Sequence, residues 1–241
     1  MEFAITTQNI SKDYGATRAV NGVSISVPRG SLFGLLGPNG SGKTTMIRML
    51  TGQIRPTGGS ARVLGYDPAI HPVLVREVVG IIPEQESPPS FLTAQEYLEF
   101  VSSIRKLGNW DDEITWWFDF LDFSEKRDVL CKDLSRGTRQ KLMFAQAFLH
   151  QPVLAVIDEP LINFDPLIQQ TVKEYLVDYM KAGNTIFFST HILDVAEEIC
   201  SEVAILHKGN LLYAGTISQV LGSGRHLHEF FISLIQGDPG A

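Results

Sequence analysis

The sequence predicts an α/β fold arranged around one glycine-rich loop, and three observations support this. The pattern G-x-x-x-x-G-K-S/T matches the stretch Gly37-Pro38-Asn39-Gly40-Ser41-Gly42-Lys43-Thr44-Thr45. An apolar run over 32–36 predicts a buried strand before this loop, and residues 45–50 predict a helix after it. Beyond residue 134, predicted helices and strands alternate again, as expected for an α/β domain.

The loop residues predict a binding site for a nucleoside triphosphate. Strand, loop and helix together place backbone N–H groups and the positive end of the helix dipole around an anion. Lys43 can reach the β- and γ-phosphates, and the Thr44 hydroxyl can ligate Mg²⁺. The alternative is a glycine-rich turn with a chance lysine, which the flanking strand and helix disfavour.

Length and composition restrict the class of protein. The 241 residues suit one α/β domain, or one such domain carrying a helical subdomain. The net charge of −7 argues against nucleic acid as the main partner. Cys131 and Cys200 show no metal-ligand spacing, and the presence of only two cysteines favours a reducing compartment. No secretory signal and no apolar run of ~20 residues is found, so we expect any membrane-spanning part to belong to other chains.

Periodicity predicts the remaining elements in order. Strands are predicted from alternating or apolar segments at 3–10, 24–27, 61–64, 79–82, 153–157 and 185–189. Helices are predicted at 71–78, 93–105, 135–150, 166–180 and 192–200. Residues 203–206 and 211–214 predict a hairpin. The aromatic segment 110–123 predicts a helix packed into its own small core, with a partner-docking face as the alternative.

Two acidic residues follow the predicted strand 153–157. An aspartate in the position of Asp158 holds Mg²⁺ in enzymes with a phosphate loop. The neighbouring Glu159 can polarise an attacking water molecule opposite the γ-phosphate. The alternative is that both acids cap the next turn, although Asp158 lies where a phosphate loop requires a metal partner.

A further motif lies just upstream of Asp158. The run Leu134-Ser135-Arg136-Gly137-Thr138-Arg139-Gln140-Lys141-Leu142 resembles the signature motif of ATP-binding cassette (ABC) ATPases. Family members commonly have Gly-Gly-Gln after Leu-Ser, whereas this chain has Arg136, Gly137 and Thr138. Ser135 and Gly137 open a predicted helix, so a hydroxyl and N–H groups face an incoming anion. The resemblance implies that this anion is the γ-phosphate of an ATP held by a second subunit.

The resemblance also implies roles for three residues outside these motifs. Tyr14 matches the aromatic residue that stacks on adenine. Asp165 matches the D-loop aspartate that contacts the opposite subunit. His191 matches the switch histidine that contacts the γ-phosphate. Without the resemblance, Tyr14 would be a turn tyrosine and His191 a structural histidine.

The sequence departs from the family pattern at the Q-loop. The family glutamine usually follows a proline such as Pro83, but here Glu84 occupies that place and Gln85 comes one residue later. A carboxylate can still ligate Mg²⁺ or its water molecules, so Glu84 and Gln85 are both candidates for this role. Glutamate at this position, like the run 93–98, resembles the ATPase subunits of ABC-2-type exporters.

For the whole chain, the resemblance implies a P-loop NTPase core with an N-terminal antiparallel β-subdomain and an inserted α-helical subdomain. We expect one domain over 1–221, with the helical subdomain at about 91–150 and a tail over 222–241. The implied cofactors are ATP and Mg²⁺.

The implied function is ATP hydrolysis in a head-to-tail dimer that energises export through a separate transmembrane permease subunit. Such a protein is peripheral, at the cytoplasmic face of the cell membrane, and docks through a groove between residues 84–90 and the helices after Thr93. The alternative is a non-transport ABC ATPase acting on nucleic acid or the ribosome. It is disfavoured because residues 91–133 leave no room for a long coiled coil and only one phosphate loop is present. A phosphate-loop kinase would not explain the signature motif.

Overall fold

Two β-sheets organise the computed structural model, which describes residues 2–83, 88–222, 224 and 226–236. The smaller sheet is antiparallel and N-terminal. Its strands are β1 (Phe3–Tyr14), β2 (Thr17–Val23), β3 (Ser26–Pro28) and β5 (Gly58–Val63). Strand β1 pairs with each of the other three, so this sheet is built around it.

The larger sheet has six strands in the order β10-β9-β4-β8-β7-β6. They are β4 (Leu32–Leu36), β6 (Val79–Ile82), β7 (Leu154–Asp158), β8 (Thr185–Thr190), β9 (Glu202–His207) and β10 (Asn210–Thr216). All neighbours are parallel except β10, which runs antiparallel to β9. Every residue of β4, β7 and β8 is buried, because both faces of this sheet are covered.

Helices cover the two faces of the larger sheet. In the described residues they are α1 (Lys43–Leu50), α2 (Pro72–Val78), α3 (Ala94–Ile104), α4 (Asp111–Phe120), α5 (Arg136–Phe148), α6 (Pro166–Lys181), α7 (Leu193–Ile199), α8 (Ile217–Leu221) and α9 (Leu227–Gln236). One core joins α1 and the small sheet to one face, and a second core joins α3–α7 to the other. The predicted architecture, with an antiparallel β-subdomain and an inserted helical part, is confirmed.

The inserted helical region packs aromatic side chains into the core that it shares with the large sheet. The predicted capping box begins α3, where Thr93 and Glu96 satisfy each other's backbone N–H groups. In α4, the ring of Trp117 is 1% exposed and packs edge-on against Phe144 and Tyr175. This burial supports a packed helix over segment 110–123, but the core is shared with the large sheet and α6 and is not a separate small core.

Three elements differ from the sequence-based expectations. Strand β1 continues to Tyr14, through most of the predicted turn at 12–15, and pairs with β2. The sequence does not predict β2, because only Val20 and Val23 of this strand are fully buried and its apolar pattern is weak. The tail contains helix α9, whose Leu227 and Phe230 are buried. The residues before α9 give no clear helix-capping pattern, so the sequence does not predict this helix.

No helix in the described segments is both long enough and apolar enough to cross a membrane.

Candidate functional site

The glycine-rich loop takes a conformation that excludes side chains at two positions. Gly42 has a φ of 108°, and a Cβ there would lie 2.5 Å from the carbonyl oxygen of Ala19. Gly37 also has a positive φ, and a Cβ there would collide with the carbonyl oxygen of Leu206. Because α1 starts immediately afterwards at Lys43, the loop wraps the N-terminal end of this helix.

Lys43 is buried at the base of the loop. Its Nζ donates hydrogen bonds to the carbonyl oxygens of Gly37, at 2.8 Å, and Pro38, at 3.3 Å. The same Nζ lies 3.8 Å from Oε1 of Glu159. The side chain is 6% exposed, so the ammonium group is held by oxygen atoms in a largely dry site.

Glu159 joins the lysine to the predicted switch histidine. Its Oε1 lies 2.9 Å from Nδ1 of His191. Glu159 follows β7 and His191 follows β8, and these parallel neighbours end at the same edge of the sheet. The Glu159 backbone is left-handed, with a φ of 51°, and its N–H donates to the carbonyl oxygen of Ser189 at 3.2 Å. This strained conformation turns the carboxylate towards the loop.

Asp158 is buried at the end of β7 with an incomplete set of partners. The Ser189 hydroxyl donates a hydrogen bond to its Oδ1. Its Oδ2 and the Ser41 Oγ are buried and have no hydrogen-bond partner in the described part of the chain. Carboxylate and hydroxyl oxygens are the ligands that Mg²⁺ prefers. The donors present around the loop therefore fit a divalent cation.

Lys43, Glu159 and His191 line an open cleft of about 440 Å³, called here the loop cleft. Eight of its lining residues were predicted from the sequence: Asn39, Gly40, Gly42, Lys43, Thr44, Thr45, Glu159 and His191. Five were not predicted as lining residues: Ala19, Arg136, Gln140, Ile162 and Asn163. Buried Gln140 donates from Nε2 to the carbonyl oxygen of Pro160, at 3.3 Å, and so supports the turn after Glu159.

Eight predicted site residues in the described part of the chain do not line the loop cleft: Gly37, Pro38, Ser41, Asp158, Tyr14, Ser135, Gly137 and Asp165. Tyr14 is exposed at the end of β1, with the Lys12 Nζ 5.3 Å from its ring centroid. Ser135 caps α5 by accepting from the Thr138 N–H at 3.2 Å. A Cβ at Gly137 would lie 2.8 Å from the carbonyl oxygen of Asn163.

Asp165 caps α6 by accepting from the N–H groups of Leu167 and Ile168, each at 3.1 Å. The remaining Q-loop candidates, Glu84 and Gln85, lie outside the described residues.

Comparison with known proteins identifies the class of this fold and site. The family model described as ABC transporter matches residues 20–162. An uncharacterized ABC transporter ATP-binding protein of Synechocystis sp. is 35% identical over 91% of this chain and 64% of its own length. A Nod factor export ATP-binding protein of Rhizobium sp. is 32% identical over 98% of this chain and 78% of its own length. The chain therefore spans about two thirds to four fifths of these relatives.

Solved structures agree with this assignment. An ATP-binding subunit of an ABC transporter superimposes with a TM-score of 0.90 at 29% identity, covering 96% of this chain and 99% of the solved one. An ATP-binding cassette solved as a dimer in a post-hydrolysis state, bound to ADP and Pi, shares the fold with a TM-score of 0.81 at 20% identity, covering 88% and 98%. The chain belongs to the ABC transporter family.

Proposed function

We propose that this chain is the ATP-binding and ATP-hydrolysing subunit of an ABC transporter. The observation that carries the proposal is the contact of Lys43 and His191 with the same carboxylate oxygen of Glu159, at the edge of the loop cleft. A cation for the phosphates, a candidate base and a third polar group thus lie together.

The nucleotide has to displace contacts that Lys43 makes within the chain. The ammonium group now bonds to the carbonyl oxygens of Gly37 and Pro38. Phosphate oxygens carry more charge than carbonyl oxygens, so they compete for the same protons. When Lys43 turns to the β- and γ-phosphates, the Glu159 carboxylate is left to accept a proton from the attacking water. His191 then holds Glu159 through Nδ1 and can present its other nitrogen to the γ-phosphate.

Magnesium is the cofactor that the site accommodates besides ATP. We assign Thr44 and Asp158 to hold it, because Thr44 lines the loop cleft and Asp158 keeps one buried oxygen without a partner. Bound Mg²⁺ neutralises phosphate charge in this class of reaction. Glu84 remains a predicted third ligand, with Gln85 as the alternative.

The positions of Ser135, Gly137 and Asp165 favour a head-to-tail dimer. None of them lines the loop cleft of its own chain, although Ser135 is exposed at the start of α5. A second chain could bring this helix start to the open side of the cleft, where its N–H groups would face the γ-phosphate. A cassette with the same fold was solved as a dimer bound to ADP and Pi, which agrees with dimer formation.

An exposed apolar surface favours a membrane partner. A second cleft, the α2–α3 cleft, is lined by Val73, Arg76, Glu77, Ile104, Arg105, Lys106, Leu107 and His150. Val73 is 58% exposed and Ile104 is 63% exposed, and Ile70 nearby on the chain is 68% exposed. Large exposed apolar side chains grouped in this way mark protein interaction sites. We assign this surface to the permease subunit in place of the groove expected from the sequence, part of which, residues 84–87, lies outside the described residues. The chain would then lie at the cytoplasmic face of the membrane.

Export is the direction that we propose, since one relative is named for export of Nod factor. The cargo would be selected by the permease. The test is purification of the native complex from membranes with this chain as the tagged subunit. We expect a membrane-spanning partner to co-purify and ATP hydrolysis to depend on Lys43. Recovery with ribosomes or nucleic acid and no membrane protein would contradict the transport function.

A further inference from the structure

The turn between β9 and β10 contacts the glycine-rich loop. The Gly209 N–H donates a hydrogen bond to the carbonyl oxygen of Ser41, at 3.0 Å. The carbonyl oxygen of Gly209 accepts from the N–H of Asn21 in β2, at 2.8 Å. Beside it, the side-chain amide of Asn21 donates to Oδ1 of Asn210, also at 2.8 Å. The β9–β10 turn is therefore bonded to the glycine-rich loop and to the small sheet at the same time.

The contact between the turn, the loop and β2 is too close for additional side-chain atoms. Gly209 is buried with a φ of 79°, and a Cβ there would lie 2.9 Å from the carbonyl oxygen of Ala19. The same oxygen would lie 2.5 Å from a Cβ on Gly42 of the glycine-rich loop. Turn, loop and β2 thus meet around one carbonyl group. Because this contact has no free space, a shift of the turn is transmitted to the loop.

The hydrogen bond to Ser41 sets the direction of the next N–H group in the loop. The Ser41 carbonyl and the Gly42 N–H belong to one planar trans peptide unit, in which the C=O and N–H bonds point in opposite directions. Because the oxygen is held against the β9–β10 turn, the Gly42 N–H points away from the turn. Gly42 lines the loop cleft, where its N–H can donate to an anion.

We propose that the β9–β10 turn is a positioning element for the phosphate site, in which Gly209 orients the Gly42 N–H towards a phosphate of the bound nucleotide. This inference rests on the proposed ATP-binding function. Gly209 does not line the loop cleft and acts through the Ser41 carbonyl. A loop that is oriented in advance loses less conformational freedom when the anion binds, so the turn contributes to nucleotide affinity.

The test is binding of ADP and Mg-ATP by the single chain, measured by calorimetry, together with the NMR amide resonance of Gly42. Gly209→Ala places a Cβ against the Ala19 carbonyl and so displaces the turn. Gly183→Ala is the matched control, because Gly183 also has a positive φ, of 96°, but a Cβ there meets nothing within 4 Å. Gly183 precedes β8, whereas the site residues follow the other end of that strand.

Asn210→Ala is a milder variant that removes the side-chain contact with Asn21. Both residues are exposed, so the variant should fold. We expect Gly209→Ala to weaken binding of both nucleotides roughly tenfold, because a hydrogen bond to a charged phosphate is misdirected. Asn210→Ala should weaken it roughly two- to threefold.

The NMR measurement separates a positioning role from a purely structural one. In Gly209→Ala and Asn210→Ala, the shift of the Gly42 amide resonance on addition of ADP should be smaller than in wild type. Gly183→Ala should bind as wild type with a full shift, even though its left-handed backbone lowers the Tm. A purely structural role of Gly209 would lower the Tm and leave affinity and resonance shift unchanged.

Wild-type affinity and an unchanged Gly42 shift in folded Gly209→Ala would overturn the inference, because the turn would then only close the hairpin. If Gly209→Ala does not fold, the same result in Asn210→Ala would overturn it. An equal loss of affinity in Gly183→Ala would also overturn it, since reduced stability would then explain both variants. Failure of wild type to bind either nucleotide would instead contradict the proposed ATP-binding function itself.

Discussion

At the scale of single residues, Lys43 is central because its ammonium group already contacts oxygen atoms where the phosphates of ATP would bind. Its ammonium group is surrounded by two carbonyl oxygens and the Glu159 carboxylate. We predict that Lys43→Ala abolishes tight ATP binding, since the point charge for the β- and γ-phosphates is removed. Calorimetry with Mg-ATP measures this directly, with thermal unfolding as the control for folding. Wild-type affinity in the variant would remove Lys43 from the site.

Tyr14 contributes differently, because its ring is 47% exposed and lies outside the loop cleft. If the ring stacks on adenine, this contact is the same in the ground state and in the transition state. Tyr14→Ala should then raise KM for ATP with little change in kcat, whereas Tyr14→Phe should behave as wild type. A lower kcat at constant KM would contradict the stacking role.

The site residues that could be predicted were those with a fixed order along the chain. Residues 37–45 are contiguous, and Asp158 and Glu159 directly follow an apolar strand, so sequence alone placed them. Ile162, Asn163 and Gln140 reach the same cleft only through the packing of α5 against the loop after β7. No local sequence pattern predicts that packing, so the sequence could not identify these three residues as part of the cleft.

At the scale of elements, α3 depends on its N-terminal cap. The Thr93 hydroxyl accepts from the Glu96 N–H at 3.2 Å, and the Glu96 carboxylate accepts from the Thr93 N–H at 2.8 Å. We predict that Thr93→Ala lowers the free energy of unfolding by about 1 kcal/mol, and that Thr93→Ser loses much less. Urea denaturation of both variants would measure this. Equal stability of Thr93→Ala and wild type would show that the cap does not stabilise the fold.

Helix α9 is attached to α7 by a pair of charges. Nδ1 of His226 lies 2.8 Å from Oε1 of Glu197, and the Leu227 N–H donates to the other oxygen at 2.6 Å. The hydrogen bond and charge of Glu197 raise the pKa of His226, aided by Glu229 and Asp194. The hydrogen bonds from His226 and the Leu227 N–H lower the pKa of Glu197.

The two pKa shifts define when this contact stabilises the protein. The contribution of His226 to the free energy of unfolding is complete below the ordinary histidine pKa. It is lost as the pH rises through the raised pKa of His226 in the folded protein. The contribution of Glu197 to the free energy of unfolding is lost as the pH falls through the lowered pKa of Glu197. We predict that His226→Gln lowers the Tm at mildly acidic pH and has a smaller effect at alkaline pH. A difference in Tm that does not depend on pH would contradict the charge pair.

The contrast between α3 and α9 shows which elements a sequence can reveal. A capping box followed by apolar residues at helical spacing predicted α3 together with its first residue. Helix α9 begins with the exposed contact of His226 to a residue 29 positions earlier in the chain, so its start signal is tertiary. Strand β2 was missed for a similar reason, since pairing with β1 rather than its own pattern defines it.

At the scale of the whole molecule, one chain provides only part of the proposed reaction site. Glycine-rich loop residues and Glu159 line the loop cleft, whereas Ser135 is exposed at the start of α5 and does not line it. Two chains arranged head to tail would complete two such sites together. The helical region between residues 88 and 133 is short, with α-helices of 11 and 10 residues, which leaves no room for a long coiled coil.

The central claim is that Glu159 activates water against an ATP held between two such chains. The most direct measurement is the rate of ATP hydrolysis by wild type and Glu159→Gln in the native complex, with ATP binding measured in parallel. We expect hydrolysis to fall roughly 10²–10⁴-fold, the range for loss of a general base, while ATP stays bound because Thr44 and Asp158 hold the metal. Near-normal hydrolysis by Glu159→Gln would contradict the claim.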